Sequence, residues 1–152
     1  MGLLGKLTVQ VEIKSEGDLF HQLFKHTPHH VSGMSPDIIQ GCDLHQGNWG
    51  TVGSIICWSY THDGKQKIAR DIIEAIDEEK RSITLKVIEG DILEFFKSFT
   101  LGIHVDTNGQ THLVTWVLEY EKLHEDVEDP VSLIPLYIKL TKDIEAHHLN
   151  NI

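Results

Sequence analysis

Leu7, Val9, Val11 and Ile13 alternate with Thr8, Gln10 and Glu12. This is the period-two pattern of a strand with one buried face, and it predicts a strand over residues 3–13. The period then changes. Leu19, Phe20, Leu23 and Phe24 recur at helical spacing behind Ser15-Glu16-Gly17-Asp18, which predicts a short helix capped there and running to about residue 25. Thr27-Pro28 opens a second short helix, to about residue 32, before turns at Gly33 and Pro36. Six further strands are predicted over residues 38–45, 52–60, 65–75, 82–89, 93–105 and 111–120. Their separators are Gly47-Asn48, Asp63-Gly64, Glu78-Glu79-Lys80, Gly90-Asp91 and Asn108-Gly109, and turns this short favour an antiparallel meander. Asp129-Pro130 then predicts a helix start, with Asp as N-cap and Pro in the first turn, and the helix runs to about residue 148. Its first half, residues 131–140, is apolar on nearly every side, and Pro135 is expected to kink it.

The order is therefore strand, two short helices, six strands and a long helix. It implies an α+β fold in which a curved antiparallel sheet wraps one long helix. A seven-stranded sheet curled around a single helix encloses more volume than ordinary side chains fill, and proteins of that shape often keep a ligand cavity. A filled core would show the same alternation.

Residues 41–53 carry four glycines, and Gly47 and Gly50 flank Asn48-Trp49 between two strand-forming runs. The segment reads as a hairpin with a wide glycine-rich turn. A phosphate loop is excluded, because no Lys follows Gly47, Gly50 or Gly53 and Ser54-Ile55-Ile56-Cys57-Trp58 continues as a strand, not a helix.

The 152 residues are expected to form a single domain, 1–152, and to need no metal or disulfide staple. Asp and Glu outnumber Lys and Arg by 23 to 13, giving a net charge of −10. That argues against a nucleic-acid partner and against an anionic membrane surface. No run is long enough to cross a membrane, and no secretory signal or myristoylation pattern is found (position 6 is Lys). A cytoplasmic protein with two free thiols, Cys42 and Cys57, is expected.

More specific matches lie in Met1-Gly2-Leu3-Leu4-Gly5-Lys6-Leu7, Ile39-Gln40-Gly41-Cys42-Asp43-Leu44-His45, Gly47-Asn48-Trp49-Gly50, Val87-Ile88-Glu89-Gly90-Asp91, Val114-Thr115-Trp116 and the 141–148 segment from Thr141 to His148. In this order and spacing they resemble the plant major latex proteins, a family within the birch-pollen allergen (pathogenesis-related) superfamily. The resemblance covers essentially the whole chain. It implies the helix-grip fold: a seven-stranded antiparallel sheet around a long C-terminal helix, with two short helices closing one end. It also implies a cavity for hydrophobic or amphipathic small molecules such as a sterol, lipid, hormone or other plant metabolite, and a part in defence or stress response. The allergen branch has a more glycine-dense turn where this chain has Asn48-Trp49, so nucleotide or ribonuclease activities attached to that branch carry over poorly.

Alternation places Ile38, Ile55, Ile68, Ile83, Leu85, Phe99, Leu101 and Trp116 on the concave face. With Leu23 and Phe24 from the first helix, and Ile134, Tyr137 and Ile138 from the long one, they are the candidate ligand-binding residues. A dry core would use the same set. Tyr60, Tyr137, Cys57 and Thr141 are candidate polar handles. Cys42 and Cys57 sit symmetrically about residues 49–50, where a hairpin would make them cross-strand neighbours; packed thiols and a regulatory disulfide are the two readings. The pairs His29-His30 and His147-His148 lack metal-ligand spacing and read as solvated or capping. Glu89-Gly90-Asp91 reads as a turn with solvated acids in preference to an acid–base site. No cofactor, metal or catalytic residue is expected.

Three functions are weighed. The leading one is an intracellular carrier of a hydrophobic small molecule, with neither nucleic-acid binding nor stable membrane insertion. The alternative is a cavity-based enzyme of specialised metabolism, an isomerase or condensing enzyme, for which the resemblance makes Lys97 and Lys139 the candidate amines. The third is a ligand-gated regulator, and Thr61-His62-Asp63-Gly64 is too short for the gating loop that it needs.

Overall fold

The computed structural model describes residues 3–150. Strand β1 (Leu4–Ile13) is followed by helix α1 (Gly17–His26), a 3-10 turn (Pro28–His30) and the short helix α2 (Val31–Met34). Six strands come next: β2 (Ile39–Gln46), β3 (Ile55–His62), β4 (Lys65–Asp77), β5 (Ser82–Gly90), β6 (Phe96–Asn108) and β7 (Thr111–Lys122). A 3-10 turn (Asp91–Glu94) separates β5 from β6, and helix α3 (Leu133–Asn150) ends the described chain. All strands pair antiparallel in one sheet of order β1-β7-β6-β5-β4-β3-β2. This is the expected helix-grip arrangement.

The register slips at Ile39/Gly41 and Leu44/Gln46 in the β2–β3 pair, at Arg70/Asp71 and Ile73/Ala75 in β4–β5, and at Phe96/Ser98 in β6–β7. Each bulge adds bend and twist to its strand, which lets one sheet curl around the interior. Gly90 marks a close approach of backbone to backbone. Its φ is 142°, and a Cβ there would lie 2.4 Å from the Ile68 carbonyl oxygen. Beside it the Ile68 amide donates to Asp91 Oδ2 at 2.7 Å. These contacts turn the chain after β5, so residues 93–95, predicted as strand, are not part of β6.

Other boundaries shift for similar reasons. Residues 52–54 belong to the β2–β3 loop, which Ser54 closes: its hydroxyl accepts from the Asn48 amide at 2.9 Å and donates to the Asn48 carbonyl at 2.8 Å. Helix α1 begins at Gly17 with Glu16 in the cap position and no side-chain cap bond, so the expected Ser15–Asp18 cap is not made. Burial of Phe20, Leu23 and Phe24 holds the helix instead. Asp129 does not cap α3. Its carboxylate accepts from the Tyr120 hydroxyl at 2.6 Å and pairs with Lys122 at 3.2 Å, anchoring the connection to β7. Helix α3 therefore starts at Leu133. Pro135 falls in its first turn, where a missing N–H removes no internal hydrogen bond, and the expected kink loses its cause.

The second half of α3 is pinned by polar contacts. Trp116 Nε1 on β7 donates to Thr141 Oγ1 at 2.8 Å, and Thr141 donates on to the Tyr137 carbonyl at 2.7 Å. Ser35, just after α2, donates to Asp143 Oδ2 at 2.7 Å, and the Lys14 amide, just after β1, donates to Glu145 Oε2 at 2.5 Å. The core forms two clusters. The larger includes Ile13, Phe20, Ile56, Ile73, Trp116 and Ile144; the smaller holds Val87, Phe96, Phe99, Leu118, Tyr120 and Leu133.

Thr141→Val keeps the shape of the side chain but leaves the buried Trp116 N–H unpaired. It is expected to destabilise the fold by about 1–3 kcal/mol with an unchanged denaturant slope, measured by urea unfolding. A change below about 0.5 kcal/mol would show that the bond does not hold α3 in place.

Candidate ligand cavity

A cavity of about 90 Å³ opens at the seam between the two core clusters. Its lining is overwhelmingly apolar. Alternation along each strand supplies the walls: Trp58 and Tyr60 from β3, Ala69 and Asp71 from β4, Leu85 and Val87 from β5, and Phe99, Leu101 and Ile103 from β6. Ile39 of β2, Trp116 of β7, Phe24 of α1 and Ile92 of the second 3-10 turn complete the sides. The roof is one face of α3: Leu133, Leu136, Tyr137 and Leu140, spaced i, i+3, i+4, i+7. Trp116 stacks on Tyr137 with ring centroids 4.7 Å apart, and it meets Phe24 edge-on at 5.5 Å.

Of the residues chosen from the sequence, Phe24, Leu85, Phe99, Leu101, Trp116 and Tyr137 line this space. The other choices lie elsewhere. Leu23, Ile38 and Ile83 are buried in the packed core beside it, and Ile39 takes the place expected for Ile38. Ile55 sits on the opposite face of β3 from Ile56, Trp58 and Tyr60. Ile68 is 50% exposed, because Ala69 and Asp71 are the inward residues of β4. In β3 and β4 isoleucines occur on both faces, Ile55, Ile68 and Ile72 on the outer one and Ile56 and Ile73 on the inner one, so hydrophobicity alone does not fix the register. On α3, Ile134 packs against the core but off the cavity. Ile138, 36% exposed, faces a surface groove with Gln10 and Lys142. The sequence choices missed Ile39, Trp58, Ala69, Asp71, Val87, Ile92, Ile103, Leu133, Leu136 and Leu140. The signal for Trp58 was its alternation with Ile56 and Tyr60; Asp71 carried none, being a charged residue in an apolar wall.

The polar handles separate in the same way. Tyr60 and Tyr137 reach the cavity. Burial, with Asp91 and Asp71 nearby, pushes the Tyr60 hydroxyl up to about 12. Burial also raises Tyr137, with Tyr60 and Asp71 adding to it. Thr141 is already engaged as both donor and acceptor. Cys57 stands opposite Asp43, whereas Cys42 stands opposite Trp58. The two thiols therefore project from opposite faces of the hairpin, which overturns the cross-strand disulfide reading; both are free. Burial raises the Cys42 thiol, with Asp43 adding to it.

The remaining candidates lie outside the cavity. Lys97 is 71% exposed on its side chain and stands 3.6 Å from Glu121, and Lys139 pairs with Asp143 at 2.8 Å. Neither of these amines is in the lining. Glu89 pairs with Arg70 at 3.3 Å, and Asp91 holds the Ile68 amide, so both acids of the Glu89-Gly90-Asp91 turn serve the fold. His29 stacks on Trp49 at 4.5 Å, a contact the solvated reading did not anticipate. Among the described residues no His, Cys, Asp or Glu group is arranged to hold a metal ion.

At the rim, beside the lining residues Tyr60 and Leu133, His62 joins the β3–β4 hairpin to the start of α3. Its Nδ1 accepts from Lys67 at 3.0 Å, and its Nε2 stands 2.8 Å from the Ser132 hydroxyl. Burial lowers the imidazole pKa and Lys67 lowers it further, so the neutral ring that this chain of bonds requires is the favoured form.

Residues 2–151 match the pathogenesis-related protein Bet v 1 family. The chain belongs to that family. It is 50% identical to MLP-like protein 28 of Arabidopsis thaliana over 97% of this chain, although it spans only 44% of that relative's length. Among solved structures it resembles ginseng major latex-like protein 151 from Panax ginseng, at 54% identity, with a TM-score of 0.96 over 97% of this chain and 99% of that one. Norcoclaurine synthase from Thalictrum flavum, solved with dopamine and hydroxybenzaldehyde, shares the fold at a TM-score of 0.77 but only 18% identity, over 98% of this chain and 88% of that one.

Burial raises Asp71 to about 7, against about 3.9 for an unfolded aspartate. The folded state therefore holds this proton more tightly. Stability from this group is fully present below about pH 4 and is lost as pH rises through 7. Asp71→Asn is expected to flatten the urea midpoint between pH 4 and 7 relative to the parent protein. Identical slopes in the two proteins would show that Asp71 is not the buried acid described.

Proposed function

We propose that this Bet v 1 family protein binds a hydrophobic or amphipathic small molecule in its internal cavity and acts as a carrier or store for it. A sterol, lipid, hormone or other plant metabolite fits that role, which we place in the cytoplasm and in defence or stress response. The observation that carries the reading is the apolar space at the seam of the two core clusters, roofed by Leu133, Leu136, Tyr137 and Leu140. Burial of apolar ligand surface there supplies affinity at roughly 25 cal/mol per Å². A ligand as large as a sterol needs more room than about 90 Å³, so binding must widen the cavity.

The first half of α3 is the element suited to move. Thr141, Asp143 and Glu145 tie its second half to β7, to the residue after α2 and to the residue after β1. The described side-chain tie at its start is the exposed His62–Ser132 contact. The alternative reading, an isomerase or condensing enzyme, draws on Asp71, a carboxyl near neutrality that lines the same space as Tyr60 and Tyr137.

Titration with the neutral fluorescent probe N-phenyl-1-naphthylamine tests the carrier reading. Saturable binding is expected, with affinity at least about tenfold weaker in Ala69→Leu, which fills the cavity. Ile68→Ala, one residue away on the outer face, should leave the affinity unchanged. Equal effects of the two substitutions, or no saturable binding, would contradict it.

A further inference from the structure

Two residues of the cavity lining each carry a buried polar atom with no hydrogen-bond partner among the described residues: Trp58, at Nε1, and Asp71, at Oδ1. Their side chains are more than nine-tenths buried, Trp58 being 8% exposed and Asp71 6%. Buried polar groups in folded proteins are nearly always paired, so two orphans in one wall call for a partner. Trp58 pairs across the ladder with Ala69, and Asp71 lies two residues further along β4 on the same inward face. The two are therefore diagonal neighbours with Cα atoms roughly 7–8 Å apart, a separation that an indole and a small group between them can bridge.

The chemistry of the two atoms narrows the partner. An indole N–H only donates, and a carboxylate only accepts. We propose that the cavity selects an uncharged ligand bearing an alcoholic or phenolic hydroxyl on an apolar body, with the hydroxyl oxygen accepting from Trp58 Nε1 and its hydrogen donated to Asp71. An ammonium group pairs with Asp71 but offers nothing to the indole N–H. A carboxylate or phosphate accepts from the indole but carries its own charge into an apolar wall, a desolvation cost that holds in either state of Asp71, and it is repelled as well when Asp71 is ionised. A ligand with no polar group leaves both atoms unpaired. Burial raises Asp71 to about 7, so both of its protonation states are present near neutrality. A hydroxyl suits either state, since it donates to the carboxylate and accepts from the acid. The inference rests on the cavity reading above and adds the ligand's polar group to it.

The test compares naphthalene with 2-naphthol at pH 6, where both are uncharged, by calorimetric titration of the whole chain and of Asp71→Leu and Trp58→Phe. The parent protein is expected to bind 2-naphthol about tenfold more tightly than naphthalene. That ratio should fall towards one in Asp71→Leu and decline in Trp58→Phe. Because each variant is read as a ratio of two ligands, a general loss of affinity does not mimic the effect. If naphthalene binds but the parent shows no preference, as when a resident water already pairs the two atoms, the hydroxyl proposal falls and the cavity reading stands. A preference that persists in both variants also overturns it. If neither compound binds, the cavity reading fails and takes this proposal with it.

Discussion

The hydrogen bond from Trp116 to Thr141 is the tie on which the interior depends. Trp116 is almost wholly buried in β7, and its ring touches Phe20 and Phe24 of α1 edge-on while stacking on Tyr137 of α3. One side chain thus sets the spacing between the sheet, the first helix and the last. Its N–H fixes the height of α3 above the sheet, and its ring forms part of the wall of the space left below. An indole paired in this way combines a large apolar body with one directional bond, which suits a position that must both fill space and set distance.

A single helix cannot fill a sheet this curved along its whole length. Where α3 is tied down the core is dense; under its first half the two core clusters part and the cavity appears. Thr141, Asp143 and Glu145 of α3 are paired with Trp116 of β7, with Ser35 after α2 and with Lys14 after β1, whereas Asp71 and Trp58 of the cavity lining each hold a buried atom that has no partner among the described residues. The net charge of −10 belongs to the surface and says little about this interior. Recognition here depends on a few buried polar atoms in an apolar setting, where an unmatched group is costly.

Much of the fold was legible in the chain. Period-two alternation and short turns located all seven strands, the change of period located α1, and Thr27-Pro28 and Asp129-Pro130 marked the other two helices. Boundaries failed where a side chain had a better tertiary partner than a local one: Asp129 reads as an N-cap but is held by Tyr120 and Lys122, and Asp91 turns the chain by binding the Ile68 amide. The cavity was less legible, because alternation gives two faces and hydrophobicity must choose between them. In β6 the choice of Phe99 and Leu101 agrees with the lining. In β4 isoleucines lie on both faces, Ile68 and Ile72 outward and Ile73 inward, and the inward positions that line the cavity belong to Ala69 and Asp71. On α3 a segment apolar all round gave no face to choose, and only packing against Trp116 singles out Leu133, Leu136, Tyr137 and Leu140.

Ligand capture in this fold depends on an apolar space that exists before any ligand arrives. Xenon enters apolar cavities and scatters strongly enough to be located. The most direct measurement is an anomalous difference map from crystals of the protein pressurised with xenon. A peak enclosed by Leu85, Phe99, Leu101 and Trp116 is the expected result. A map with no peak there, at a pressure that labels a known cavity protein, would contradict the preformed cavity.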